Sequence, residues 1–335
     1  MSNERCTGHR PLRLVPITSG LNGVCRAFAS LPGRPCGIVR IVGDEREPRT
    51  KSALRSLRRV LLRQSHATAG EYAAYFDMEY AEIHKRNGDG LRVALTRMNA
   101  DLAIVFRTPV LDVAALSGLP VGTINVHGSW LPDYRGGHPL FWQVHDQADS
   151  LGVSVHFVTA AVDAGPVLEQ GRVARPSGAH RDVLEELTAV GQGVPLLRRA
   201  IARLEAGDRT AIVQPEVSPT RYASNAPMSR LSEELELSAM SLDALWDIAC
   251  YFGCWPTEFG DFPGWRRWFR WVPVLRLAEP TARDRCANGQ LQLAGATIWL
   301  LHRDGRIRLR PSVDAWQLLR AAIRLVKGDR VGRES

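Results

Sequence analysis

The stretch Thr123-Ile-Asn-Val-His-Gly-Ser-Trp-Leu-Pro-Asp-Tyr-Arg-Gly-Gly-His-Pro139 decides how this chain is read. Val121 to Val126 has the composition of a short strand, and side chains two apart on a strand share a face. Asn125 and His127 therefore project together from its end. Gly128, Pro132, Gly136 and Gly137 then interrupt regular structure, and a helical run begins near Leu140. In open parallel sheets, ligands sit beyond the carboxyl ends of the strands. A carboxamide and an imidazole placed there are candidates for chemistry.

A second strand-like run, Gly152-Val-Ser-Val-His-Phe-Val158, leads into Val162-Asp163-Ala-Gly-Pro166 and supplies a third candidate, Asp163. Taken singly, an Asn-x-His after a strand is most often a turn with a hydrogen-bonded histidine. An Asp before Ala-Gly-Pro is most often a turn residue. His145 and His156 read as structural.

In these motifs the chain resembles the folate-dependent formyltransferase family, which includes glycinamide ribonucleotide, methionyl-tRNA and nucleotide-sugar N-formyltransferases. The family's Asn-x-His is matched by Asn125 and His127, and its Ser-x-Leu-Pro by Ser129, Leu131 and Pro132. Its aromatic-basic-Gly is matched by Tyr134, Arg135 and Gly136, and its Gly-x-x-Val-His strand by Gly152 to His156, with Asp163 at the catalytic Asp. Gly128 and Trp130 depart from the usual Pro and Leu. The resemblance covers roughly Leu12 to Gln214.

The resemblance implies transfer of a formyl group from 10-formyltetrahydrofolate to an amine, with no metal. Asn125 and His127 would donate to the oxyanion that develops on the formyl oxygen. Asp163 would favour the imidazolium of His127 and could accept the amine proton. Phe106, Arg107, Leu111, Ser129 and Val162 are expected to line the folate site. Gly20, Tyr134, Arg135 and His138 are expected to serve the acceptor. The loop Ser19-Gly20-Leu-Asn-Gly23 keeps two glycines of the branch that binds a substrate phosphate there, but not its full pattern, which argues against glycinamide ribonucleotide.

The implied fold is α/β, an open, mostly parallel Rossmann-like sheet with helices on both faces, followed by a smaller C-terminal α+β domain. Strands are expected at Leu12–Ile17, Gly37–Val42, Leu102–Phe106 and Val167–Val173, with a long amphipathic helix from His180 to Leu204. Residues 1–11 are expected to be a flexible N-terminus, 12–218 the catalytic domain, and 219–335 a domain that selects the acceptor or is accessory. Within the catalytic domain, 49–86 reads as a helical insertion. Lys51, Arg55, Arg59 and Arg63 recur along one side of its first helix, and a second helix runs from Ala69 to Lys85. In the last part, Ser241–Phe252 reads as a helix, Gln290–Leu301 and Arg306–Arg310 as a strand pair, and Ala315–Lys327 as a closing helix. Gly264 to Trp271 interleaves aromatics with Arg, which suits a hairpin or a stacking surface for nucleotides.

Composition sets the remaining limits. The chain has 335 residues and a net charge of +8, room for one α/β domain and a smaller second one. The charge divides evenly between residues 1–220 and 221–335, so neither part stands out as a basic nucleic-acid module. The six cysteines are scattered; Cys250 and Cys254 lack the partners of a zinc site. No apolar run is long enough to span a bilayer, and Met1 to Pro11 lacks a signal-peptide core, so a cytoplasmic enzyme is expected. The expected acceptor is the amino group of a small molecule or carrier-bound metabolite, such as an amino sugar nucleotide. Methionyl-tRNA is the alternative, and hydrolysis of the formyl donor or a non-catalytic binding protein on the same scaffold are competing readings.

Overall fold

The computed structural model describes residues 10–20, 31–43, 68–225, 235–237, 239–256, 259, 270–281, 291–294 and 297–312. The chain divides into two compact units: Met1–Leu140 with Ser150–Ala174 and Glu185–Ala223, and Phe141–Asp149 with Arg175–Leu184 and Ser224–Ser335.

The first unit is built on an eight-stranded sheet. Its strands are β1 (Arg13–Thr18), β2 (Arg34–Pro35), β3 (Gly37–Val42), β4 (Glu79–His84), β5 (Leu102–Phe106), β6 (Gly122–His127), β7 (Ser150–Phe157) and β8 (Val167–Ala174). The order is β4-β3-β1-β5-β6-β7-β8, with β2 paired to β1. Pairs from β4 to β6 are parallel, whereas β7 and β8 run antiparallel to their neighbours. The parallel strands are apolar on both faces because both faces are covered. Leu14, Ile104, Ile124 and Val126 pack with Leu196, Leu197, Ala200 and Ile201 of the helix Val194–Glu205. Val15, Ile17, Ala103 and Val105 turn the other way, onto Leu91, Ala94 and Leu95 of the helix Gly88–Arg97.

This alternation places the polar residues. Ile124 and Val126 belong to the first layer, so Asn125 and His127 face the second. Antiparallel pairing sets Asn125 opposite His156 and His127 opposite Ser154, and Ser154 in turn lies opposite Gln170 of β8. One sheet face thus ends in a patch of five polar side chains. The loop after β6 is fastened across it. Ser154 Oγ donates to Ser129 O at 2.7 Å and accepts from Leu131 N at 3.0 Å. Gln170 Nε2 donates to Leu131 O at 2.8 Å. Gly152 makes room for this covering loop, since a Cβ there would overlap the Trp130 backbone. The guanidinium of Arg172 sits 4.3 Å over the Trp130 ring.

Three expectations are corrected. The helix expected over Ala69–Lys85 stops at Tyr75, and Glu79–His84 becomes β4. Asp77 takes a left-handed conformation at the break, and parallel pairing with the free edge of β3 outweighs the helical propensity of the Glu-Tyr-Ala-Glu run. The helix expected from His180 to Leu204 is regular over Arg181–Glu185, widens into π-type turns over Glu186–Gly193, and resumes at Val194. Pro195 lacks an N–H at the start of the last segment, so a regular bond cannot close there. The strand expected over Gln290–Leu301 is two strands, β10 (Leu291–Ala294) and β11 (Thr297–His302). The expected helices at 49–63 and Ala315–Lys327 lie outside the described residues, as does most of Gly264–Trp271.

The second unit holds a four-stranded antiparallel sheet in the order β10-β11-β12-β9, where β9 is Arg270–Leu277 and β12 is Gly305–Ser312. His302 and Gly305 close the expected hairpin between β11 and β12. Its helix Leu242–Phe252 is capped by Ser241 and ends at Gly253 with φ 65°. On that helix the buried Asp247 accepts from Arg175, Ser177 Oγ and Gly178 N at 2.5, 2.8 and 2.6 Å. No helix among the described residues is long and apolar enough to cross a membrane.

The close approach at Gly152 yields a test of the packing. Gly152→Ala should destabilise the protein by about 1–3 kcal/mol through overpacking. Urea unfolding should show a lower midpoint with an unchanged slope.

Candidate active site

Asp163 is brought to the sheet patch by the connection between β7 and β8. Its backbone is left-handed, φ 52°, which few non-glycine residues adopt. Gly165 presses that turn onto β7, where any Cβ would overlap Phe157 O. The carboxylate is 12% exposed and points back at β6. Asp163 Oδ1 accepts from Asn125 Nδ2 at 3.3 Å, and Oδ2 accepts from Gly136 N at 2.9 Å. His127 Nδ1 lies 3.6 Å from Oδ2, and His156 Nε2 lies 3.6 Å from Oδ1. Asn125 Nδ2 is also 3.2 Å from His156 Nε2. One amide, one carboxylate and two imidazoles therefore form a single cluster.

Partners fix the tautomers. His127 Nε2 faces Tyr134 O at 3.1 Å, and a carbonyl can only accept, so Nε2 carries the proton. His156 Nδ1 likewise donates to Phe157 O at 2.8 Å, which leaves Nε2 turned to the cluster. Burial pushes the pKa of His127 down, and the neighbouring Asp163 charge offsets this only in part. Asp163 acts in the expected direction, toward the imidazolium, but desolvation outweighs the ion pair. Burial also acts to raise Asp163, but the charge of His127, the His156 contact and the Gly136 N–H together hold it at about 2. The resting site is a carboxylate beside a neutral imidazole.

The other expected residues fall into separate places. Ser129 is fully buried, and its Oγ donates to Asp133 O at 2.5 Å. Arg135 is 8% exposed, with its guanidinium spent on Gln214, Pro215 and Glu216. Tyr134 is left-handed, and its N–H donates to Thr220 Oγ1 at 2.6 Å. His138 is exposed, and its N–H donates to Ala223 O. Phe106 lies in the core of the first layer. Arg107, left-handed at the end of β5, pairs with Glu185 at 2.7 Å, and its carbonyl accepts from Ser19 Oγ. Gly20 closes a small turn with Thr18. Val162 is 39% exposed and Leu111 is half-buried.

Two residues of the cluster and its supports were not expected. His156 enters because β7 is antiparallel, which sets it directly opposite Asn125. Its place in the quoted Val-His strand was a signal, but the strand direction was needed to use it. Gln214, named above only as the end of the stretch the resemblance covers, donates from Nε2 to Asp163 O at 3.0 Å and Gly165 O at 2.6 Å. Nothing local in the sequence marks it.

The family profile described as formyl transferase matches residues 59–188. A methionyl-tRNA formyltransferase from a Geobacillus species is 28% identical over 230 residues, covering 67% of this chain and 71% of the relative. The methionyl-tRNA formyltransferase of Enterococcus faecalis is 29% identical over 200 residues, covering 57% of this chain and 60% of the relative. Among solved structures, HypX from Aquifex aeolicus in complex with tetrahydrofolic acid shares the fold, with a TM-score of 0.52, 13% identity, and coverage of 89% of this chain and 43% of that one. With the Asn-x-His, Ser-x-Leu-Pro and Asp motifs on one sheet end, these matches support a folate-dependent formyltransferase family for this chain.

Proposed function

We propose that this chain passes the formyl group of 10-formyltetrahydrofolate to a primary amine, using Asn125, His127 and Asp163. The observation that carries this reading is the convergence of the three side chains around Asp163 at the carboxyl end of β6. As the amine attacks, the formyl oxygen gains negative charge. Asn125 Nδ2 holds its present acceptors at 3.2 and 3.3 Å, which are long contacts. A charged oxygen is a stronger acceptor and would take one of these N–H groups. The amine must then lose a proton. Asp163, with a pKa of about 2, is a poor resting place for it. His127 Nδ1 is a better one, because a proton there lies between the ring and the carboxylate. When the carbon–nitrogen bond to the folate breaks, that proton leaves with the folate nitrogen, and atoms and charge balance.

The residues after β5 fit a folate ring. Among the described residues, the backbone of Thr108 to Leu111 makes no hydrogen bond, and Val110 is 76% exposed. Such a segment offers an apolar edge with unspent N–H and C=O groups, the character of a small-molecule wall. Leu111, packed on the second layer, and Val162, 39% exposed, would extend it. Holding and orienting the formyl donor is the task this reading gives them.

For the acceptor, the even charge between the two parts of the chain supports a small-molecule or carrier-bound amine. Methionyl-tRNA is the second reading, and the names of the curated relatives support it. A panel of amino sugar nucleotides, amino acids and charged tRNA tests both. Tetrahydrofolate should appear only when one of these amines is present. Release without an amine would indicate hydrolysis, and no turnover with any amine would indicate a binding protein.

Asn125→Ala should lower turnover by ~10²–10³, the usual cost of a lost oxyanion donor, and His127→Ala by ~10²–10⁴, the usual contribution of a positioned acid–base group; a fall below about tenfold for either would contradict its role. The same site predicts how stability varies with acid. Both His127 and Asp163 have folded pKa values below their ordinary ones. Their contributions are present at neutral pH and are lost as pH falls, that of His127 first below about 6.5 and that of Asp163 from about 3.8 down to 2. Melting temperature should therefore decline between pH 7 and 5, and His127→Gln should flatten that decline.

A further inference from the structure

We infer that Arg135 and Gln214 are positioning residues: the Arg135 guanidinium orients the Gln214 carboxamide, which holds the backbone of Asp163 in its left-handed turn. This rests on the reading of Asp163 as a participant in formyl transfer.

Arg135 Nε and Nη2 both donate to Gln214 Oε1, at 3.2 and 2.9 Å. A guanidinium has donors only, so it dictates which end of the carboxamide faces it. Gln214 Nε2 must then point the other way. There it meets two acceptors, Asp163 O and Gly165 O, at 3.0 and 2.6 Å. Those carbonyls flank the turn whose first residue sits at φ 52°. A non-glycine residue held left-handed costs energy that the surroundings must supply. The side chain of Gln214 supplies it by satisfying both carbonyls at once.

Arg135 is itself fixed. Its Nη2 donates to Pro215 O at 2.7 Å and its Nη1 to Glu216 O at 3.0 Å, so the guanidinium is committed to the chain that follows Gln214. Its own backbone carbonyl accepts from Ala223 N at 2.7 Å. The next residue, Gly136, gives its N–H to Asp163 Oδ2. Arg135 therefore links the loop that binds the Asp163 carboxylate, through Gly136, to the segment that binds its backbone carbonyl, through Gln214. Buried and fully engaged in this way, it has little left to offer a substrate.

The test is a set of variants assayed for formyl transfer, with melting temperatures recorded. Gln214→Leu should lower kcat by about 10–100-fold, as small misplacements of a catalytic group do, while KM for 10-formyltetrahydrofolate and for the amine stays within about twofold. In an Asp163→Asn background, Gln214→Leu should have no further effect on kcat, because it acts through the carboxylate. Arg135→Lys keeps the charge but cannot reproduce the fork, so it should lower kcat without raising KM, and Gln214→Leu should mask it. The inference is overturned if Gln214→Leu is silent, if its effect adds fully to Asp163→Asn, or if Arg135→Lys raises KM for either substrate. If Asp163→Asn itself keeps full turnover, the reading of the site fails, and the inference goes with it.

Discussion

Buried polar groups must find partners, and this requirement shapes the whole end of the sheet. The cost of leaving one amide or imidazole unpaired in an apolar interior is about twice what a typical hydrogen bond contributes. β6 and β7 place Asn125, His127, Ser154 and His156 on one face, beside a layer that is otherwise apolar. None of them can be satisfied by the sheet ladder, whose bonds lie in the plane of the strands. The loops therefore come to them. Ser154 and Gln170 take the backbone at Ser129 and Leu131, His127 takes Tyr134 O, and Asp163 takes the amide of Asn125.

Support and chemistry divide along this patch. Toward β8 the partners are short and neutral: a serine, a glutamine and backbone groups between 2.7 and 3.0 Å. Such bonds fix a loop. Toward Asp163 the contacts lengthen to between 3.2 and 3.6 Å and involve charge. Loose, charged contacts in a dry setting are those a substrate can take over, because a developing oxyanion or ammonium competes well for them. Among the described residues, the one short bond to the carboxylate, from Gly136 N, keeps the negative charge in place while the others exchange.

Much of this was legible from residues alone. Strands β3 and β5 fall where their apolar runs place them, because a run buried on both faces has few other uses. Asn125 and His127 share a face by the strand repeat, and the link to Asp163 came from a family resemblance in motif and spacing. What stayed hidden depended on long-range pairing. The run Glu79–His84 reads as helix until the open edge of β3 is there to receive it. His156 cannot be placed until β7 is known to run antiparallel. Gln214 reaches the site across the fold, through partners 49 to 79 residues away in sequence. The balance between burial and ion pairing at His127 is a matter of magnitudes that no motif carries.

Asp163 and His127 share one desolvated site, and NMR titration of the imidazole measures that directly. Following the ring nitrogens of His127 from pH 4 to 9, the midpoint should lie below the ordinary value near 6.5. It should move lower still in Asp163→Asn, because the carboxylate is the group that opposes the effect of burial. A midpoint near 6.5 that Asp163→Asn leaves unchanged would mean that the two side chains do not meet in one desolvated site.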